Sequence, residues 1–311
     1  MTPGRAVVAP DADHGGRVHQ AAQLLGCEPA DLLDLSASLN PFAPPIESVV
    51  LEAAATLRHY PEAAPATHRL AAATGVPAER VILTNGAAEA IALVAGLMPV
   101  GDVVEPEFSL YRRHLRAVRP GGARWRSNPS NPLGCLAGRS EDATVWDESF
   151  YPLATGVWSR GDDGWRIGSL TKLWACPGLR LGFVVAPDAA AAEHLRATQP
   201  EWSVNSLALA AVGPMLDRTD LVGWSQAIAA ARSHLVSVVA QYGLDVRATD
   251  ANWVLVDDVP TGFVDGLFAR RVLVRDCANF GLAGTVRIAV PNGDDLARLD
   301  RALAALPGRG A

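Results

Sequence analysis

The stretch Gly168-Ser-Leu-Thr-Lys172-Leu-Trp-Ala-Cys-Pro-Gly-Leu-Arg180-Leu-Gly-Phe183 decides how the rest of the chain is read. Its single lysine stands among small, polar and apolar residues, with Arg166 and Arg180 as the nearest charged neighbours. A lysine in such a setting loses its proton readily, and a neutral amine attacks a carbonyl to form a Schiff base. Ser169 and Arg180 can meanwhile hold a phosphate, one by its hydroxyl and the other by a forked, charge-assisted pair. Reactive lysine plus phosphate clamp points to pyridoxal 5'-phosphate (PLP). A plain loop between two strands has the same composition, so the stretch is weighed with its surroundings.

Working outward, Trp165-Arg-Ile167 leads into the stretch and Leu181 to Ala186 leaves it, both as buried strands. Upstream, Val81-Ile-Leu-Thr84 reads as a short buried strand, followed by Asn85-Gly86-Ala87-Ala88-Glu89 and an apolar helix through Met98. A strand, a glycine turn and a helix N-terminus offer free N–H groups and a positive dipole end to a phosphate. Val103-Val104 is expected to begin the next strand, Pro106-Glu-Phe108-Ser-Leu-Tyr111 to open a helix, and Trp125 to end a strand. Ala143 to Trp146 reads as a strand ending in Asp147-Glu-Ser-Phe150. An acid at the carboxyl end of an α/β strand lies where such sheets bind ligands, although Asp147 can equally cap the segment after the strand.

Before this block, residues 1–13 are rich in Pro and Ala, and His14-Gly15-Gly16 precedes a helical run from Val18 to Leu25. The glycine pair admits close backbone approach to a ligand, or makes a simple turn. Asp34 to Pro45 is an extended piece broken by prolines, and Glu47 to Arg58 has helical spacing. Beyond Pro187 come helical runs at Asp188–Ala197, Ser206–Leu216 and Leu221–Tyr242, then a mixture of strands and helices to Leu306. Strands alternating with helices, followed by a smaller mixed end, indicate an α/β fold. A large domain with a mostly parallel central sheet is expected over 46–217 and a small α+β domain over 218–311. Residues 1–45 are expected to pack on the small domain and the active site.

At 311 residues, with 49% apolar and 19% charged residues, the chain has ample material for a globular core. A net charge of −6 and the lack of a basic stripe argue against nucleic acid. No apolar run approaches the roughly 18 residues of a membrane span, and no signal segment is read at the N-terminus. Four scattered cysteines and seven histidines form no metal pattern, and free thiols suit a cytoplasmic protein.

Seven motifs now fall in one order: Tyr60-Pro61, Thr84-Asn-Gly-Ala-Ala-Glu89, Pro106-Glu-Phe108, Asn128-Pro-Ser-Asn131-Pro, Asp147-Glu-Ser-Phe150, Ser169-Leu-Thr-Lys172 with Gly178-Leu-Arg180-Leu-Gly182, and Val286-Arg287-Ile288. In this order they resemble the fold-type I PLP enzymes of the aspartate aminotransferase superfamily. His14-Gly15-Gly16, Ser36-Ala-Ser-Leu-Asn40-Pro and Val274-Arg275-Asp-Cys277-Ala-Asn-Phe280 look like the threonine-phosphate decarboxylases of cobalamin biosynthesis, with histidinol-phosphate aminotransferases as near relatives. The resemblance implies that Lys172 carries the cofactor and moves protons at the substrate α-carbon, and that Asp147 pairs with the ring nitrogen. It implies that Asn131 donates to the ring's phenolic oxygen and that Phe108 stacks on the ring. Phosphate would be held by Gly86, Ala87, Ser169 and Arg180, and by Tyr60 reaching into a neighbouring subunit of a homodimer. Substrate contacts would come from His14, Gly15, Ser38, Asn131, Arg275 and Arg287. Two arginines suit a substrate with two anionic groups, such as a phosphorylated amino acid or amine.

The implied reaction is decarboxylation of L-threonine O-3-phosphate; transamination of a histidinol-phosphate type substrate is the alternative, and a shortened binder without turnover a third. Phe150 stands where aminotransferases often carry tyrosine, which leans towards the decarboxylases. Ser38 replaces a usual Asn, and Leu133 a usual Thr. The segments from Pro106 to Asn128 and from Asn131 to Asp147 are short for the family. A βαβ crossover takes about 30 residues, so roughly one strand and one helix are expected to be missing.

Overall fold

The computed structural model describes residues 9, 15–161 and 163–306. Its strands are β1 (Leu33–Asp34), β2 (Val81–Thr84), β3 (Val100–Val103), β4 (Ala117–Val118), β5 (Ala123–Ser127), β6 (Val145–Asp147), β7 (Trp165–Gly168), β8 (Gly182–Val185), β9 (Asp245–Arg247), β10 (Trp253–Asp257), β11 (Val272–Leu273), β12 (Arg275–Asp276) and β13 (Val286–Ala289). Seven of them form the central sheet in the order β2-β8-β7-β6-β5-β3-β4. Only β8 runs against its neighbours; the other six share one direction. The carboxyl ends of β2, β6 and β7 therefore lie along one edge, and the chain re-enters the sheet through β8 from that same edge. A parallel sheet of this kind binds its ligands at that edge.

Strands β2, β6, β7 and β8 are buried along their whole length, as expected of a sheet covered on both faces. Ile82, Val145, Ile167 and Val184 pack with Ile91 and Val94 of the helix Gly86–Leu97 and with Leu195. Val81, Leu83, Phe183 and Val185 face the other way, into a core with Leu170, Trp174, Val212 and Trp224. The helix Leu221–Ala240 packs at one end on the helix Tyr151–Thr155 and at the other on β9, β10 and the helix Gly293–Ala304. Its 20 residues span about 30 Å. The antiparallel sheet β12-β13-β10-β9 makes up the C-terminal part. Strand β1 pairs in parallel with β11, Leu33 opposite Val272, so the N-terminal segment is sewn to the C-terminal part.

Several elements differ from their sequence reading. The strand expected to begin at Val103 is β3, which ends there. Gly101 concealed it: a Cβ there would stand 2.4 Å from a Leu115 methyl, so tight packing demands a residue that strand propensity disfavours. Strand β5 runs past Trp125 to Ser127. Helix is scarce in the short middle of the chain. The central sheet has seven strands, but β5 and β6 are parallel neighbours joined by residues 128–144, which contain no helix. The β3–β5 connection holds a helix of only five residues, Leu110–His114, and the two-residue stub β4. No helix among the described residues is long and apolar enough to cross a membrane, and none of their His, Cys, Asp and Glu side chains group as a metal site.

Candidate active site

Lys172 lies in the short helix Leu170–Leu173 that caps the carboxyl end of β7. Ser169 is its N-cap and accepts from the Lys172 N–H at 3.4 Å, keeping its own hydroxyl proton for another partner. Thr171 fastens the turn to the returning strand, its hydroxyl and N–H both bonding the Leu181 carbonyl. The Lys172 ammonium donates to the Ala37 carbonyl at 2.7 Å, and Asn40 closes the loop by donating to the carbonyls of Lys172 and Leu173. Desolvation, followed by the nearby Arg287, brings Lys172 down from 10.5 to about 8. A substantial neutral fraction at physiological pH is what a nucleophilic amine needs.

Beside this turn, Gly86 opens the helix Gly86–Leu97 at φ +76°, and no side chain caps the helix start. A Cβ on Gly86 would lie 2.6 Å from Nη2 of Arg180, so the guanidinium rests against bare backbone. Gly182 permits the same intimacy from below, since its Cβ would meet Ala87 N at 2.6 Å. Arg180 itself takes a left-handed φ of +59°, an unfavourable conformation that here turns the side chain towards the helix start. Uncapped N–H groups, a helix dipole and a guanidinium converge on one point, an arrangement suited to a phosphate.

Asp147 ends β6, fully inside the sheet. Its Oδ1 accepts from Ser149 N at 3.0 Å and its Oδ2 from the Tyr111 hydroxyl at 2.8 Å. Burial raises its pKa, opposed by those bonds and by Lys172. Phe108 is half-buried and meets the edge of Tyr111, ring centroids 5.9 Å apart. Asn131 is held by its N–H to Ser127 Oγ at 2.8 Å, while its Oδ1 accepts from Arg287 Nη1 at 2.6 Å. The Asn131 amide nitrogen is thereby left as the group turned away from Arg287.

Arg275 on β12 and Arg287 on β13 are directly opposite in the antiparallel register, and both are more than nine-tenths buried. Arg287 lies over the Trp253 indole at 4.9 Å, and its Nη2 reaches the Ser36 carbonyl. No carboxylate among the described residues is within ion-pair distance of it, and its Nε has no hydrogen-bond partner there. Desolvation lowers its pKa to about 10. Arg275 donates to Asn279 Oδ1 at 2.8 Å and lies over Phe280. Ser38 is buried at a left-handed φ of +49°, with its hydroxyl unpartnered among the described residues. Gly15 lies against Ser36, where a Cβ would come within 2.3 Å of the carbonyl oxygen. Its neighbour His14 lies outside the described residues. Tyr60 stands apart, three-quarters exposed and paired with Trp202 at 4.6 Å.

Sequence reasoning overlooked Tyr111, Glu107 and Asp34. Tyr111 reads as an ordinary helix residue until strand order brings it behind Asp147. Asp34 reads only as the start of an extended piece, yet it receives the Ser36 hydroxyl and N–H and is one of the charges acting on Lys172. Phe150 packs its ring on Trp253, and its ring centroid stands 5.7 Å from the Lys172 nitrogen.

The family model of aminotransferase class I and II matches residues 142–306. The threonine-phosphate decarboxylase of Salmonella typhimurium is 30% identical over 354 aligned positions, covering 94% of this chain and 95% of that protein. The alignment is longer than the chain, so the relative carries segments that are absent here. A histidinol-phosphate aminotransferase of Symbiobacterium thermophilum is 28% identical over 90% of this chain and 92% of its own. Among solved structures, the histidinol-phosphate aminotransferase of Sinorhizobium meliloti in complex with pyridoxal-5'-phosphate superposes with a TM-score of 0.77 at 16% identity, covering 93% of this chain and 94% of that one. By family model, relatives and fold, the chain belongs to the class I and II aminotransferase family of PLP-dependent, fold-type I enzymes.

Proposed function

We propose that the chain is a PLP-dependent lyase that decarboxylates L-threonine O-3-phosphate to (R)-1-aminopropan-2-yl phosphate, a cobalamin precursor. The observation that carries this reading is the pair Arg275 and Arg287, two buried guanidiniums directly opposite each other. Like charges so placed repel, and a substrate bearing both a carboxylate and a phosphate relieves that repulsion. The Salmonella relative, threonine-phosphate decarboxylase by name, points the same way.

The residues present fit the cofactor. Gly86 and Arg180 make a cradle that a Cβ would fill, buried Asp147 suits a cationic ring nitrogen, and Lys172 is held close to its neutral form. Bound PLP supplies an electron sink conjugated with the substrate α-carbon. Gly86 and Ala87 N–H groups, Ser169 and Arg180 would hold its phosphate; Asp147 would take the ring nitrogen, Asn131 Nδ2 the phenolic oxygen and Phe108 one face. Arg275 and Arg287 fix the two substrate anions, with Gly15 and Ser38 lining the same end. Fixing both anions would hold the bond from α-carbon to carboxylate ready for cleavage; CO₂ would leave, and its bonding electron pair would remain on the substrate side, stabilised by the electron sink that PLP would supply. Lys172 Nζ then delivers a proton to the α-carbon. Phe150 and Trp253 keep water from that carbon. Residues 46–217 would house the cofactor, and 1–45 with 218–311 would close over the substrate.

The test is chemical. PLP-loaded protein given L-threonine O-3-phosphate is expected to release CO₂ in equal amount to an aminopropanol phosphate. Glutamate formed from histidinol phosphate and 2-oxoglutarate, without CO₂, would instead establish the aminotransferase activity of the Symbiobacterium relative.

We further propose a homodimer with shared sites, in the cytoplasm, where the four free cysteines would stay reduced. Leu51, Leu57, Tyr60 and Trp202 are each more than half exposed, with Tyr60 against Trp202, and a second copy would cover such apolar surface. Trp202→Glu is expected to sediment as a monomer and to bind PLP about tenfold more weakly, because the Tyr60 hydroxyl would no longer reach its partner's phosphate site. A monomeric parent protein would contradict the shared site.

A further inference from the structure

Behind Asp147 lies a second acid that has no part in the proposed chemistry. Glu107 sits between Pro106 and Phe108 and is 3% exposed. Its Oε1 accepts from Ser127 N at 3.1 Å and its Oε2 is bonded to the Ser127 hydroxyl. That same hydroxyl receives the Asn131 N–H, whose residue in turn accepts from Arg287. One carboxyl therefore clamps the end of β5 and, through one oxygen atom, the turn that carries Asn131. The groups facing it are Arg126 of β5, with Nη1 3.6 Å away, Asp147 of β6, Tyr111 of the helix Leu110–His114, and Glu105, which receives the Glu107 N–H and is paired with Arg112.

We propose that Glu107 is a positioning residue for the cofactor ring. It fixes Asn131 through Ser127, and its charge acts on the ring nitrogen's site from behind Asp147. This inference rests on the reading of Asp147 and Asn131 as ring-binding residues. Burial raises the Glu107 carboxyl to about 7, with the Ser127 bonds and Arg126 opposing and Asp147 assisting. It is thus neutral in mildly acidic solution and ionised in mildly alkaline solution. Ionised, it adds negative potential at the ring and favours the protonated forms of the bound cofactor. The stability sign is opposite to that of an ordinary ion-paired acid. A raised carboxyl binds its proton more tightly in the folded state, so stability is lost as pH rises from about 4.5 to 7.

The experiment compares parent and Glu107→Gln proteins in two ways. Without cofactor, melting temperature is followed from pH 5 to 8: the parent is expected to lose several degrees that Glu107→Gln does not lose. With PLP bound, the midpoint of the absorbance-versus-pH titration is expected to fall by at least half a pH unit in Glu107→Gln. A merely structural carboxyl would change affinity and leave the midpoint in place. If Glu107→Gln does not fold, Arg126→Gln serves, since removing that cation should move the pH-dependent melting transition upward. An unmoved absorbance midpoint, or an unmoved transition in Arg126→Gln, would overturn the proposal. Failure of the parent protein to bind PLP would instead overturn the cofactor reading beneath it, while the melting arm still reports on Glu107.

Discussion

Asp147→Asn is expected to cut kcat/KM by about 10³-fold, the size of effect seen when one preorganised electrostatic partner is lost, while the apoprotein remains as stable as the parent. The two halves of this expectation have separate causes. For catalysis the carboxylate charge matters, because an amide cannot keep a ring nitrogen cationic. For stability the charge is a liability, as burial raises the Asp147 pKa. Asparagine retains Oδ1 for the Ser149 N–H and presents an amide to the Tyr111 hydroxyl, which can accept as readily as donate. Neither buried partner is orphaned, so the melting temperature should stay within the equivalent of about 1 kcal/mol. Steady-state kinetics with a parallel thermal melt checks both. Activity within tenfold of the parent would remove Asp147 from the chemistry, and a large loss of stability would make it a structural residue.

Arg287→Met should lower kcat/KM for the phosphorylated substrate by about 10²- to 10³-fold, within the 2–5 kcal/mol typical of a truncated buried charge pair. The guanidinium would lose its anion, and Asn131 would lose the donor that orients its amide. Arg287→Lys should recover little of this, since an ammonium cannot reproduce the planar fork or its stacking on Trp253. Apoprotein stability should move the other way. Arg287 is buried opposite Arg275 with carbonyl oxygens as its acceptors, so an apolar side chain of similar volume relieves both desolvation and like-charge repulsion. A variant that is both less stable and equally active would contradict the assignment of Arg287 to the substrate.

Much of this site was legible because its residues are announced locally. The buried strands β2 and β8 are short apolar runs with Gly86, Gly182 and Pro187 at or near their ends, and Lys172 is conspicuous for the charges it lacks. The helix Ser206–Leu216 has the bounds its apolar spacing predicts. What stayed hidden depends on neighbours far away in sequence. Strands β9 and β12 are three and two residues long and mostly charged, and only pairing with β10 and β13 makes them strands. Gly101 looks like a strand breaker until Leu115 and Trp125 crowd it. Tyr111 and Glu107 acquire meaning only when β3, β5 and β6 are placed side by side, which no local pattern reveals. The one available signal was an acid wedged between Pro106 and Phe108, where an ordinary surface glutamate has no reason to be.

Everything proposed about the chemistry hinges on Lys172 as the point of cofactor attachment. Borohydride reduction of the PLP-loaded protein, followed by tryptic digestion and mass spectrometry, tests this directly. The pyridoxyl mass is expected on the peptide from Ile167 to Arg180, uncleaved at Lys172 because the modified side chain resists trypsin. A pyridoxyl group on any other peptide, or none on the reduced protein, would contradict the site.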